Sequence, residues 1–390
     1  MTVRCVAIAG YRSLHDLCFA PGPLTVISGG NGVGKSNVYR ALELMHAAAQ
    51  GRLARTLANE GGIPSAAWAG PEEVRTEAAK RRGQAIEGTV RKRPLRIRLG
   101  MQLDAGSFEM TIGLPPPPPP PPPPPTAFRF DPEVKEEWLW SAPPRRKNKP
   151  FLTREGLAAH GLDSDGRLRT YTPLDPGESV LGQLDEPQLL SDLWQLQRTL
   201  RAFRFYHAFR TDPESPLRVP RIGTRTPILA SSGEDVAAAL QTVLEIGDDV
   251  ALRDSVKQGL GASLDLGIEG NRFELGLRVP GLLRRLGARE LSDGSLKYLA
   301  LLAALYSPRP APLLVFNEPE ASLHPDLLVP LAEALALASR RSSVWVVSHA
   351  RPLIAALEAR ASVTHIQLER DEDGATRILG QRLIDRPAWP

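Results

Sequence analysis

Residues Gly29-Gly30-Asn31-Gly32-Val33-Gly34-Lys35-Ser36 restrict what this chain can fold into more than any other feature. They match the pattern G-x-x-x-x-G-K-[ST]. An apolar run, Leu24–Ser28, precedes them, bounded by Pro23 and Gly29, and reads as a buried strand. Lys35–Gln50 follows and reads as a helix. Glycines let the backbone fold tightly enough for successive N–H groups to face phosphate oxygens. The helix behind adds the positive end of its dipole. The candidate nucleotide-binding residues are therefore Gly29, Asn31, Gly32, Val33, Gly34, Lys35, Ser36 and Asn37. In this pattern Lys35 reaches the β- and γ-phosphates and Ser36 is a candidate Mg²⁺ ligand. A glycine turn with a stray lysine would need neither the strand before it nor the helix after it.

The rest of both ends alternates in the same way. Thr2–Ile8 and Leu17–Phe19 are β-prone. Towards the other end, helix Gly294–Tyr306, strand Leu313–Phe316, helix Pro325–Ser339, strand Ser343–Val347, helix Pro352–Glu358 and strand Ser362–Leu368 follow in turn. Strands alternating with helices predict an α/β fold with a mostly parallel sheet. The middle differs. Leu95–Leu103 and Phe108–Leu114 read as an antiparallel hairpin turning over Asp104–Ser107. Phe128–Phe130 and Glu137–Trp140 read as the sheet resuming, and Asp185–Phe203, Gly233–Ile246 and Val250–Leu260 as helices. Asp163-Ser164-Asp165 reads as a loop, and Asp248-Asp249 as the cap of the helix after it. Eleven prolines, Pro115–Pro125, lack backbone donors and belong inside neither helix nor sheet. As polyproline II they make a stiff rod of about 34 Å, a spacer between strands or a ligand for an SH3-like module.

Charge and cysteine content exclude some classes. The 48 basic residues exceed the 44 acidic ones by only four. The excess is concentrated: windows 75–98, 143–149 and 198–225 carry +7, +4 and +5, which leaves the remainder near −12. Cys5 and Cys18 are two cysteines, too few for a disulfide scaffold or a cysteine-based zinc site, and they fit small buried strand positions in a reducing cytoplasm. No apolar run is long enough to cross a membrane, and the first residues lack a signal-peptide pattern.

Three further elements stand in a fixed order after the glycine loop. Leu291-Ser292-Asp293-Gly294-Ser295 opens an apolar helix, Leu313–Phe316 runs into Asn317-Glu318-Pro319-Glu320, and the next apolar strand ends at His349. In that order and context the chain resembles the ABC-type ATPases of the SMC/RecF/OLD group, nearest the bacterial proteins with NEPE and SLHP sequences. The resemblance covers residues 1–50 and about 286–370, with looser likeness between. It implies a P-loop ABC-ATPase head, mixed sheet and helices, with an inserted α+β lobe. The core would be 1–60 and 286–390, joined by some strands of 84–140, and the insertion 61–285 would hold the hairpin, the proline run and a helical lobe. Leu291, Ser292, Asp293, Gly294 and Ser295 would form the signature, a variant of LSGGQ acting on ATP held by a second subunit. Glu318 would orient or deprotonate the attacking water, with Lys35 and His349 completing the catalytic set. Ala321–His324, including Ser322 and His324, would form the D-loop, and Arg12 would also reach the nucleotide. Asn317 stands where the family has Asp; with Ser36 it would serve Mg²⁺, more weakly and with slow hydrolysis. Gln84 and Gln102 are Q-loop candidates by position alone. Residues 350–390 are too few for the Toprim nuclease domain of the OLD proteins.

The expected cofactors are ATP and Mg²⁺, and the expected assembly is a homodimer on ATP binding. The basic windows, with Trp138, Trp140, Phe203, Phe205 and Tyr206 nearby, point to duplex DNA, with Arg201, Arg204 and Arg210 as contacts. The alternative is an ATP-gated switch that controls a protein partner and binds no DNA.

Overall fold

The protein is described by a computed structural model that covers residues 3–70, 94–116, 127–142, 149–163, 165–188 and 190–387. The expectations for Pro117–Pro125, Gln84, Ser164 and most of the first two basic windows fall outside the described residues.

The chain forms two compact units. The first comprises Met1–Pro21, Gly29–Phe203 and Ile366–Pro390. The division into core and insertion drawn from the sequence cuts across both units. In the first unit, β1 (Val3–Tyr11) and β2 (Leu14–Phe19) form a hairpin. The chain leaves this unit in β3 (Leu24–Gly29) and re-enters it at Gly29. Then β4 (Arg96–Leu103), β5 (Gly106–Gly113), β6 (Glu133–Trp140), β7 (Leu152–Glu155), β8 (Ala158–Leu162) and β9 (Leu168–Tyr171) join the hairpin in the order β2-β1-β4-β5-β6-β7-β8-β9. Every neighbouring pair is antiparallel. A period of two explains the pattern. Ile97, Leu99 and Met101 are buried and face Ile112, Met110 and Phe108 across the ladder. Cys5 and Cys18 are both buried, with sulfurs 3.5 Å apart.

Two expectations fail here. Phe128–Phe130 is a turn rather than a strand: Asp131 N donates to Phe128 O at 3.0 Å, and both rings are exposed. The alternating Phe-Arg-Phe pattern mimics a strand, but the closed turn and Pro132 delay the sheet to Glu133. The helix expected over Asp185–Phe203 spans only Ser191–Arg201, because Pro187 cannot sit in a regular helix interior. The hairpin turn is also tighter than expected. Leu103 pairs with Gly106, and Gly106 takes φ 138°, which a side chain rarely adopts.

An ion pair in this unit is almost wholly buried. Arg154 Nη1 lies 3.2 Å from Glu137 Oε2, and Arg154 also donates to Gly156 O at 2.7 Å and Asp175 O at 2.8 Å. Glu137 accepts from Val180 N at 3.0 Å and from the Ser179 hydroxyl. Burial raises the Glu137 carboxyl, and Arg154 and these donors work against that. The charges are tolerated because nearly every lone pair and proton is matched. The pair ties β6 and β7 to the segment 175–180.

The second unit comprises Gly22–Ser28 and Arg204–His365. It begins with β10 (Arg204–Tyr206) and carries two small antiparallel sheets, built from β11 (Arg221–Ile222), β12 (Ser263–Leu264), β13 (Gly267–Glu269), β14 (Arg272–Glu274), β15 (Gly276–Arg278) and β16 (Leu286–Gly287). With β17 (Leu313–Asn317) and β18 (Ser343–Val347), a parallel sheet forms in the order β10-β17-β18-β3. β17 and β18 are buried at every residue, as continuous apolar runs predict. Helix Asp293–Leu305 is buried from Leu296 onward, and its Tyr298 hydroxyl donates to Ser255 O at 3.0 Å. The expected cap is present: Asp248 accepts from Ala251 N at 3.0 Å and opens helix Asp249–Leu260. Helix Val236–Ile246 starts three residues later than expected, and Pro325–Leu327 is a 3₁₀ turn leading into helix Leu328–Ala338. The chain returns to the first unit within β19 (Thr364–Arg370), which pairs with β20 (Thr376–Ile378). Among the described residues, no helix is long and apolar enough to cross a membrane.

Candidate nucleotide site

The glycine loop belongs to the first unit and takes the shape its composition allows. Gly29, Gly32 and Gly34 have φ of 150°, 76° and 107°. A Cβ on Gly34 would lie 2.3 Å from Thr376 Oγ1 and 2.6 Å from Ser13 Oγ. A Cβ on Gly29 would lie 2.5 Å from Leu368 O. A Cβ on Gly32 would meet nothing within 4 Å and one on Gly30 only Val33 Cγ1 at 3.7 Å, and both glycines are exposed at the crest of the loop with Asn31. Helix Lys35–Ala49 starts at once, with Asn37 N and Val38 N donating to Gly34 O. The Lys35 ammonium folds back over the loop and donates to Gly29 O at 2.9 Å and Gly30 O at 2.8 Å. Ser36 is exposed and available to a metal ion.

Residues not singled out from the sequence brace this loop. Thr376 Oγ1 donates to Val33 O at 2.7 Å and hydrogen-bonds Ser13 Oγ at 2.7 Å. Asn37 Nδ2 donates to Ser13 Oγ at 2.8 Å, so Asn37 braces the loop from behind. Arg12 takes φ 50° and donates to Glu60 Oε2 from Nη2 at 2.8 Å and from Nε at 3.2 Å. The Tyr11 hydroxyl donates to the same oxygen at 2.6 Å. Gly34→Ala is expected to destabilise the unit by roughly 1–3 kcal/mol, because it adds both a disfavoured φ and a clash. It should also weaken ATP binding. Thermal unfolding and a nucleotide titration check both effects.

In the second unit, the carboxyl ends of the parallel strands are level: Asn317 pairs with Val347, and Val347 with Ile27. Glu318 follows β17 with φ 48°, and its N–H donates to Val347 O at 2.8 Å. A left-handed, non-glycine residue there is uncommon and costs about 1–2 kcal/mol. Its carboxylate is partly exposed, with Oε1 3.4 Å from His349 Nδ1. Asn317 is buried, and Nδ2 lies 3.0 Å from His207 Nδ1. Its Oδ1 is buried without a hydrogen-bond partner among the described residues. An unmatched buried acceptor suits a metal-bound water, so the residue fits the Mg²⁺ role chemically. Glu320 is buried and accepts from the Ser348 hydroxyl, and its second oxygen is also unmatched among the described residues. Ser292 is exposed at the start of helix Asp293–Leu305 and accepts from Ser295 N at 3.1 Å. Arg218, mostly buried, donates to Leu291 O at 2.8 Å and grips the Asp293 carboxylate. A Cβ on Gly294 would lie 3.0 Å from Ser322 O, so the turn at Ser292–Gly294 touches the segment around Ser322. Ser322 has φ 65°. His324 is well exposed and caps the 3₁₀ turn Pro325–Leu327.

Within this unit the structure thus brings Glu318 to His349, and Gly294 to Ser322. Arg218, Glu320, Ser348 and His207 are not legible in the sequence as neighbours of these residues, because each meets its partner across a long stretch of chain. The candidate DNA contacts fall in both units. Arg201 donates from Nε to Ala49 O at 2.6 Å in the first unit. In the second unit Arg204 starts β10, and Arg210 forks onto Asp212 at 2.9 and 3.0 Å. Gln102 lies in β4 opposite Ser107.

Comparison with known proteins agrees with this architecture. Over 112 residues the chain is 29% identical to the chromosome partition protein Smc of Mycolicibacterium paratuberculosis, a stretch that is 28% of this chain. The chain spans only 9% of the length of that curated relative. A solved SMC head bound to the C-winged helix domain of ScpA superposes with TM-score 0.53 at 14% identity, covering 98% of each chain. An Smc head with an extended coiled coil, bound to the C-terminal domain of ScpA and derived from Pyrococcus furiosus, gives TM-score 0.50 at 12% identity, covering 97% of this chain and 96% of that one. At such identities the likeness shows the fold alone. Residues 126–356 match the family described as "AAA domain, putative AbiEii toxin, Type IV TA system". The matched family is described as an AAA domain, and the solved neighbours share the fold. The chain therefore belongs to that AAA-domain family and has the α/β fold of an SMC/RecF-like ABC-type ATPase head.

Proposed function

We propose that this ATPase works as a head-to-tail dimer that closes around two ATP·Mg²⁺ and opens on hydrolysis. The observation that carries the reading is Glu318: a partly exposed carboxylate, held in a disfavoured backbone conformation at the end of a buried strand, 3.4 Å from His349. Strain of this kind persists where the surroundings over-determine it, and it gathers at functional sites. Glu318 takes the proton of the attacking water or orients that water, and His349 holds the carboxylate. The loop Gly29–Ser36 binds the phosphates through its N–H groups, with Lys35 moving from its own carbonyls to phosphate oxygens. Ser36 and Asn317 are each the residue of their unit that would serve Mg²⁺, and the ion would neutralise phosphate charge. Ser292 and Gly294 of one subunit complete the site of the other, and the exposure of Ser292 supports that role. The ATPase core takes in 1–60 and 286–390 together with strands from 84–140, the rest of 61–285 serves as the lobe that closure moves, and the protein acts in the cytoplasm.

Asn317 keeps hydrogen-bonding capacity but lacks the charge of an Asp, which makes hydrolysis slow. Asn317→Asp is expected to tighten Mg²⁺, read as a lower half-saturating Mg²⁺ concentration in ATP turnover. A higher one would contradict this account.

Closure is coupled to duplex DNA through basic residues, Arg201, Arg204 and Arg210 among them. The second reading is a switch for a protein partner. It is favoured by the internal bonds of Arg201 to Ala49 and of Arg210 to Asp212, which a phosphate would have to displace. Mass in solution, with and without a non-hydrolysable ATP analogue and then with duplex DNA, tests the proposal. Doubling of mass with analogue supports the dimer. ATP-enhanced, salt-sensitive retention on DNA supports the first partner, and no retention at low salt removes it.

A further inference from the structure

Lys297 stands where an apolar residue is expected. It lies in the second turn of helix Asp293–Leu305, between Leu296 and Tyr298, which are fully buried, and is itself only 8% exposed. Burial pulls its ammonium below the ordinary lysine value, while Glu320 and Glu318 nearby work to hold it up. A buried cation is costly unless it is matched. The match is specific: Nζ donates to Glu318 O at 3.1 Å and to Ala321 O at 2.7 Å.

Those two carbonyls bracket one turn. Ala321 N donates to Glu318 O at 3.1 Å, and Leu323 N donates to Glu320 O at 3.0 Å. Both ends of the segment are left-handed, with Glu318 at φ 48° and Ser322 at φ 65°. A peptide strained twice in five residues needs outside support. The helix that starts at Ser292 supplies it at two points. Gly294 packs against Ser322 O, where even a methyl group would come to 3.0 Å, and Lys297 grips the carbonyls of Glu318 and Ala321. The exposed Ser292 corner and the Glu318 turn are thereby joined through a short stretch of one helix.

We infer that Lys297 is a positioning residue: it fixes the peptide of Glu318 in its left-handed form and ties that form to the placement of the Ser292 helix. This rests on the reading of Glu318 as the group that acts on the attacking water. A change in the tilt of the helix when Ser292 meets a nucleotide is transmitted to the Glu318 carbonyl through Lys297.

The test is Lys297→Met, which keeps the stem and its apolar contacts and removes every N–H donor. Loss of the buried charge makes the variant tolerable to the fold. Turnover is expected to fall by roughly 10- to 10²-fold, the scale of a misplaced catalytic group. KM for ATP and analogue-driven dimerisation should stay at wild-type values, and Lys297→Arg should restore most of the rate. On a Glu318→Gln background, Lys297→Met should add almost nothing, because the two act as one unit. Wild-type turnover in Lys297→Met overturns the inference. So does an undiminished further loss on the Glu318→Gln background, or a rise in KM that matches the fall in rate. If Lys297→Met does not fold, Lys297→Gln is measured instead and should show the same split, with full turnover overturning the inference. Wild-type turnover in Glu318→Gln alone is a different failure, that of the underlying reading.

Discussion

Glu318→Gln is expected to cut ATP turnover by roughly 10²–10⁴-fold, the range for removing a general base. ATP should still bind, and the closed dimer should accumulate. The substitution is nearly isosteric, so the backbone support at φ 48° and the bond from Glu318 N to Val347 O should persist. What changes is the charge. An amide cannot take a proton from water, although it can still meet His349 Nδ1, which lies 3.4 Å from the carboxylate in the native protein. In the proposed scheme binding rests on the glycine loop and Lys35, which the change leaves as they are. Phosphate release and light scattering with ATP measure both halves of the expectation. Unchanged turnover together with an unchanged monomer–dimer balance would remove Glu318 from the mechanism.

Ser292→Arg is expected to reduce hydrolysis by at least about 10²-fold, the scale for losing a preorganised transition-state contact. Nucleotide affinity should stay nearly intact. Ser292 is exposed, so a longer side chain meets solvent within its own subunit, and in the proposed dimer it would obstruct the neighbour's nucleotide. The fold should survive. The cap bond from Ser295 N to Ser292 Oγ, 3.1 Å, is lost, at about 1 kcal/mol. Arg218 continues to hold Leu291 O and Asp293 from behind. Parallel measurement of ATP binding and turnover separates the outcomes. Equal loss of both would mean that Ser292 serves its own nucleotide, as in a monomeric P-loop enzyme.

Much of this was readable in one dimension. The glycine loop, the buried strands β17 and β18 and the polar residues after them announce themselves by local composition and by continuous apolar runs. The hairpin β4–β5 follows from alternation. What escaped is held together across long sequence distances. Ser13 meets Thr376 over 363 positions, and Arg218 meets Asp293 over 75. No periodicity encodes such pairs. Lys297 was passed over because a lysine in an apolar helix resembles a solvated face until its two carbonyl partners are seen. Phe128–Phe130 misled for the opposite reason: its alternation satisfied a strand rule, while the closure from Asp131 N to Phe128 O decided the shape.

The brace on the glycine loop has a consequence for biosynthesis. A ribosome assembles Val33 343 positions ahead of Thr376, whose hydroxyl anchors the Val33 carbonyl. While translation is under way, the loop lacks that anchor. The bond forms only when β20 emerges and docks. A prematurely terminated polypeptide is therefore expected to fold its glycine loop without the bond that Thr376 supplies to the Val33 carbonyl.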